Sequence, residues 1–366
     1  FHVDINSITL SDDGSVLVFI GSRDSESFAS VYAKDLVSGT LTRINDGFDG
    51  SLPNGGAGLI RISDDAQFIA FASTATNLVP DDTNDQADIF VHDRVLGTTE
   101  RVNLGNDGAE ANNIGTGYFD ISGDGRYVVF DSRATNLVAE DTENDSDIFL
   151  RDRTLQTTTL ISTETYQISF FDRVSGPHYY PSISDDGNII AYETYTSQLY
   201  PSNNPYKDLY VHDRIAGTTT QVLTFNGGEP AAGDARHTVV SGDGGTVAFV
   251  SDAAGLVPGL INDPERVYVY DVASQQVDAV SRSFDRRVVG AERSPIAITT
   301  DGRYVAYLSR EKGLDPSDKL AQIDAYVHDR QTGRTQVVSF GPWGESGQEN
   351  ASSITISDDG SMVAFA

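Results

Sequence analysis

The stretch SGDGRYVVF, Ser122 to Phe130, decides the reading of the whole chain. It sets an Asp-Gly pair directly before an apolar run rich in β-branched and aromatic residues. Glycine accepts the positive φ of a tight turn, so Asp-Gly between two such runs signals a hairpin. The signature recurs as SDDGSVLVF from Ser11, SDDAQFIAF from Ser63, SDDGNIIAY from Ser184, SGDGGTVAF from Ser241, TTDGRYVAY from Thr299 and SDDGSMVAF from Ser357. Successive starts lie 52, 59, 62, 57, 58 and 58 residues apart. That regularity is an internal repeat, and the repeat governs everything else.

Each repeat holds four strand-like runs. In the third they are GYFDIS (Gly117 to Ser122), RYVVFDS (Arg126 to Ser132), DIFLRD (Asp147 to Asp152) and TTTLIS (Thr157 to Ser162). They are rich in Val, Ile, Phe, Tyr and Thr and bounded by Gly, Asp and Asn. No run has the period of an amphipathic helix. Four antiparallel strands repeated many times predict an all-β chain, the blades of a β-propeller, over one domain spanning residues 1–366. A β-sandwich is the alternative, but sandwiches do not repeat one four-stranded unit with one signature turn. Six repeats are complete and the seventh stops after two strands at Ala366. Seven blades are preferred, with FHVDI (Phe1 to Ile5) helping to close the last, and six are the alternative. The start at Phe1 and the abrupt end lead us to expect a piece of a longer polypeptide.

The unit ISxDGRYVAFxS…NLV…D…DIFVHDRxxGTT…VS resembles the TolB-like propeller repeat, a bacterial relative of the WD repeats, over nearly the whole chain. The resemblance implies the fold. It is nearly silent on function, because that family includes binding proteins, peptidase-gating domains and carbohydrate-active enzymes. TolB's additional amino-terminal α/β domain is not seen in this sequence, and neither is a G-x-S-x-G elbow of the propeller peptidases.

Composition narrows the partners. There are 54 acidic against 25 basic residues, a formal net charge of −29. Such a surface repels phosphate backbones, which argues against nucleic acid, and it favours cations. Cysteine is absent, which removes disulfides, thiol catalysis and thiolate metal sites. No apolar run reaches the ~20 residues of a membrane helix, so no membrane insertion is expected.

Two acidic loops align without a gap: NLVPDDTNDQADIFVHDR (Asn77 to Arg94) and NLVAEDTENDSDIFLRDR (Asn136 to Arg153). Calcium takes six to eight oxygen ligands, and alternating Asp and Asn on a short loop supplies several. The candidate ligands are Asp82, Asn84 and Asp85 in one loop and Asp141, Asn144 and Asp145 in the other. Neither loop has the EF-hand pattern, and the competing reading is a turn capped by its own side chains. Asp88, Asp147, Asp208 and Asp324 recur just before the third strand and are read as turn caps. His92, His212 and His328 occupy one repeat position and are read as structural.

In an antiparallel blade, the first-to-second and third-to-fourth connections share one face. Here those are tight turns, and the other two connections are long. Binding belongs on the elaborated face. His178 and His237 stand just before first strands there, near the channel mouth. His178 with Tyr179 and Tyr180, and His237 with Arg236, would be the catalytic set of a polysaccharide lyase or hydrolase, against a reading as ordinary loop residues. Trp343, with His178 and Tyr179, is the candidate ligand-binding surface.

These observations predict a non-catalytic binding or scaffold propeller. It is expected outside the cytoplasm (secreted, on the cell surface or in the periplasm), engaging a protein or a polysaccharide, with Ca2+ stiffening its loops. A carbohydrate-active enzyme and a structural domain of a larger surface or filament protein are the alternatives.

Overall fold

The structure, a computed structural model, describes residues 8–23, 27–113, 117–141, 146–162, 180–195, 206–225, 229–257, 266–281, 296–310, 314–315, 323–339, 351 and 353–365. His178, Tyr179, Asn144, Asp145 and Trp343 lie outside them. Every regular element described is a strand. Two compact units are distinguished: residues 1–164 with 185–187, and residues 165–184 with 188–366.

The first unit holds three four-stranded antiparallel blades, each in sequential strand order. They are Ile8–Leu10, Val16–Gly21, Ser30–Asp35 and Leu41–Arg43; Ala57–Ile62, Phe68–Ser73, Asp88–Asp93 and Thr98–Arg101; Phe119–Ile121, Tyr127–Ser132, Asp147–Asp152 and Thr157–Leu160. The second unit holds three more. They are Ser182–Ile183, Ile189–Tyr195, Lys207–Asp213 and Thr218–Gln221; Ala235–Val240, Thr246–Ser251, Arg266–Asp271 and Gln276–Ala279; Ala297–Ile298, Tyr304–Ser309, Asp324–Asp329 and Arg334–Val337. The seventh signature adds only a two-stranded sheet, Ile354–Ile356 with Val363–Phe365. The fold is therefore a propeller of six four-stranded blades. The preferred count of seven gives way to the alternative, because the last repeat contributes two strands and no third or fourth.

The signature works through its side chains. Ser122 Oγ accepts the Tyr127 amide at 2.9 Å and donates to Asp124 Oδ1 at 2.8 Å. Asp124 Oδ1 also accepts the Arg126 amide at 2.9 Å, and Gly125 sits at φ 69°. Serine and aspartate thus satisfy the turn's own amides, and glycine supplies the left-handed residue. The same serine-to-amide bond recurs from Ser11, Ser63, Ser184, Ser241 and Ser357, and from the Thr299 hydroxyl.

Burial follows the strand order. The second and third strands are largely buried, while fourth strands are partly exposed. One ring pair joins second to third strand in every blade, from Phe19–Tyr32 to Tyr307–Tyr326, with centroids 5.6–5.9 Å apart. Within the first unit, Ile20, Ile60 and Phe71 pack the first blade on the second, and Ala70, Phe119 and Phe130 pack the second on the third. Within the second unit, Leu209 and Phe249 do the same for the fourth and fifth blades.

Candidate functional site

Three places carry chemistry beyond the scaffold. In the acidic loop of the second blade, Asp82 turns inward. Its Oδ1 lies 3.2 Å from Arg101 Nη1, which also meets Asp88 Oδ2 at 3.2 Å and Glu110 Oε1 at 2.6 Å. Arg101 Nη2 donates to the Asp81 carbonyl. Burial pushes the Asp82 carboxyl up, with Asp88 and Glu110 adding to the effect and Arg101 opposing it. A guanidinium therefore stands among the carboxylates where the calcium reading places a metal. Asn84 uses its amide on Asp88 and its carbonyl oxygen on the Gln86 amide, and Asp85 sits exposed at φ 53°. In the third blade Asp141 is buried too, but the position matching Arg101 is Leu160, so no arginine reaches that loop from its own fourth strand.

Asp88, Asp147, Asp208 and Asp324, read as turn caps, stand within the third strands and carry a further role. They accept bonds from fourth-strand side chains or the residues just beyond: Asn103, Ser162, Gln221 and Ser339. They tie the start of each third strand to the end of the fourth. His92, His212 and His328 each share a hydrogen bond with a cross-strand threonine, the structural role expected of them.

The second place is Asp12, Asp64 and Asp185, whose carboxylate oxygens lie within 4.8 Å of one another. It is the only such metal-sized group among the described residues. All three occupy the second position of the signature. Gly123 holds that position in the third blade, and a Cβ there would run into the Asp64 carboxylate. The missing side chain lets the carboxylates converge. The motif hints at this group, because its second residue varies between Asp, Gly and Thr, but the sequence reading passed over it.

The third place lies in the second unit. Tyr180 and His237 each stand four residues ahead of a signature serine, Ser184 and Ser241, on consecutive blades. Their rings pack 5.6 Å apart with a 48° tilt, and Lys207 Nζ lies 5.9 Å from the tyrosine centroid. His237 falls in a register shift of the fifth blade's first strand, with φ 57°. Beneath it, Glu193 of the fourth blade is completely buried. Its Oε1 accepts the Thr238 hydroxyl at 3.1 Å and the Thr238 amide at 3.3 Å, while its Oε2 is buried and accepts no hydrogen bond from a described residue. Burial pushes the Glu193 carboxyl up to about 8, against the pull of Lys207 and Arg236. Burial, aided by Arg236 and Lys207, pushes His237 down to about 4. At neutral pH the acid keeps its proton and the imidazole lacks one. Arg236 is paired with Asp234 at 2.8 Å.

The sequence named Tyr180 and His237 as members of two separate local groups; the structure brings their rings together, with Arg236 next to His237 in the chain. Sequence reading missed Glu193, although a signal exists: the matching positions are Ile20, Ala72, Val250 and Leu308 in four other blades and Asp131 in the third.

No protein-family model matches the chain, and no curated protein matches it in sequence. Solved structures do. The β-propeller domain of the trilobed protease from Pyrococcus furiosus aligns with a TM-score of 0.60 at 15% identity, over 97% of this chain and 89% of that one. An oligogalacturonate lyase in complex with manganese gives 0.56 at 15% identity, over 100% and 86%. TolB from Acinetobacter baumannii gives 0.50 at 14% identity over 89% of this chain, which spans 63% of that TolB. At these identities the likeness establishes the fold, a β-propeller. More narrowly, its structural neighbours include TolB and other TolB-like propellers. No helix among the described residues is long and apolar enough to cross a membrane.

Proposed function

We propose that the chain is an extracytoplasmic binding propeller that engages its ligand, a protein or a glycan, at the elaborated end where Tyr180 and His237 meet. The observation that carries this reading is the break in the repeat. On blades that otherwise repeat, Tyr180, just ahead of the fourth blade's first strand, and His237, in the fifth blade's first strand, bring two half-buried rings together close to a buried acid. Binding sites are built on loops and strand ends held by a rigid scaffold. Long connections support the choice of end, since the one before the fifth blade carries its own hairpin, Thr224–Phe225 with Glu229–Pro230.

A second reading, a carbohydrate-active enzyme, is favoured by one observation. A glutamic acid that holds its proton to about 8 and bonds Thr238, the residue after an uncharged His237, has the acid–base character from which a catalytic pair is built. The neighbour crystallised with manganese is a lyase, which makes such a reaction worth testing here. Calcium belongs to the proposal at the loop of Asp141, Asn144 and Asp145, where no fourth-strand arginine takes the cation's place.

The test is to incubate the purified chain with polysaccharides and follow both retention and product release. Retention without product supports the binding reading. Product that disappears in His237→Ala supports the enzyme.

A further inference from the structure

Among the described residues, five that are not glycine have positive φ: Ala66, Asp85, Gln156, His237 and Gln275. Four of them lie in turns or loops. Ala66 sits where the signature elsewhere has glycine, and Gln156 and Gln275 sit where the third-to-fourth turn has Gly39, Gly97, Gly217 and Gly333. His237 alone is inside a strand. The register shift does not demand this. The second blade has the same irregularity between Ala57 and Ile60, and its side-chain-bearing residue there, Leu59, keeps negative φ. A strained residue that the scaffold does not require points toward function.

The side chain agrees. The His237 ring nitrogens make no hydrogen bond to a described residue, whereas His92, His212 and His328 each have a threonine partner. Glu193 reaches across from the fourth blade to hold Thr238, the next residue, by both its amide and its hydroxyl. It is a positioning residue that locks the backbone on which His237 is presented.

We propose that the Tyr180–His237 edge is a saccharide subsite, in which the tyrosine ring bears the C–H face of a sugar and the imidazole hydrogen-bonds its hydroxyls. This rests on the reading of that end as a binding face and names its ligand class. An uncharged imidazole offers one donor and one acceptor. A hydroxyl is both and matches either nitrogen; a carboxylate matches only the donor and an ammonium only the acceptor. Burial, aided by Arg236 and Lys207, holds the imidazole in that uncharged form. An aromatic face beside a few polar groups is the usual composition of such pockets.

The experiment titrates the chain with hexasaccharides of glucose, xylose, mannose, galactose and galacturonic acid, following binding by calorimetry and product release in the same samples. His237→Asn keeps a residue that tolerates left-handed backbone, and Tyr180→Leu removes the ring without touching it. At least one hexasaccharide is expected to bind, and each variant to bind it about tenfold more weakly or worse, a loss of 1.4 kcal/mol per tenfold. Glu193→Gln, which keeps an acceptor for Thr238, is expected to bind like the parent, and Glu193→Leu to lose affinity with His237 unaltered. Binding unchanged in both ring variants overturns the subsite and leaves the binding propeller standing. Turnover that both variants abolish keeps the subsite and overturns the non-catalytic reading. No binding to any hexasaccharide overturns the subsite alone, since a protein ligand remains open to the broader reading.

Discussion

Arg101 in the first unit and Glu193 in the second are both ionisable groups taken out of water, and the protein handles them in opposite ways. Arg101 keeps its charge and is ringed by Asp82, Asp88 and Glu110. Glu193 gives its charge up and leans on Thr238. The first arrangement consumes the acidic loop for structure; the second leaves an oxygen and a neighbouring imidazole uncommitted. Arg101→Leu, which copies the Leu160 of the third blade, breaks the comparison most directly. Asp82, Asp88 and Glu110 would lose the guanidinium they share, and removing one partner of a buried ionic cluster costs about 3–5 kcal/mol. Denaturant unfolding of the variant checks this, and a loss below about 1 kcal/mol would show that water already screens the cluster.

For Glu193 the effect is a pH dependence with a definite sign. The unfolded carboxyl titrates near 4.5 and the folded one near 8. Between those values the native state holds a proton that the unfolded state has released. Stability therefore falls as pH rises through that window, being full below 4.5 and level above about 8. Glu193→Gln has no proton to lose. The parent-minus-variant difference in unfolding free energy, measured at pH 5 and pH 8.5, is expected to change by about 2–3 kcal/mol after water penetration moderates the full shift. A flat difference would mean that Glu193 is ionised in the folded protein and that Lys207 carries its charge. Taking the difference also cancels His237, whose contribution runs the other way and is lost as pH falls from 6.5 to about 4.

Calcium sharpens the contrast between the two aligned loops. Thermal unfolding in chelator and in excess calcium at constant ionic strength should show a shift that Asp141→Asn removes and Asp82→Asn does not. A tenfold excess over the dissociation constant corresponds to about 1.4 kcal/mol. If the shift survives both substitutions, the metal is elsewhere, and Asp12, Asp64 and Asp185 are the group to replace next.

What the sequence disclosed follows from the range of each interaction. The signature turn closes on itself within five residues, Ser122 to Tyr127, so its chemistry is readable locally and the blades follow from its period. Arg101 acts on a loop about 20 residues earlier, and nothing in the loops' gapless alignment distinguishes Arg101 from Leu160. Tyr180 and His237 are 57 positions apart, and only the shared register of two blades brings them into contact. Glu193 was legible in principle, as an acid where most blades have an aliphatic side chain. Reading it needed the burial of that position, which no single repeat displays.

The smallest effect calibrates the strain argument. Gln275 has φ 57°, as His237 does, but it lies in an exposed turn whose counterparts carry Gly39, Gly97, Gly217 and Gly333. Its amide bond to the Asp271 carbonyl, 2.8 Å, would survive a change to glycine. A side chain in left-handed backbone costs about 1–2 kcal/mol, and glycine's freedom in the unfolded chain returns roughly 0.5–1 kcal/mol of that. Gln275→Gly should therefore stabilise the protein by about 0.5 kcal/mol, read as a higher denaturation midpoint at constant slope. Such a gain would set the scale of the penalty that His237 bears inside its strand, and the imidazole would then be held there against a measurable cost. With no gain at Gln275, that backbone conformation would be nearly free in this scaffold. His237 would then be set apart only by a ring with no hydrogen bond to a described residue and by its contact with Tyr180.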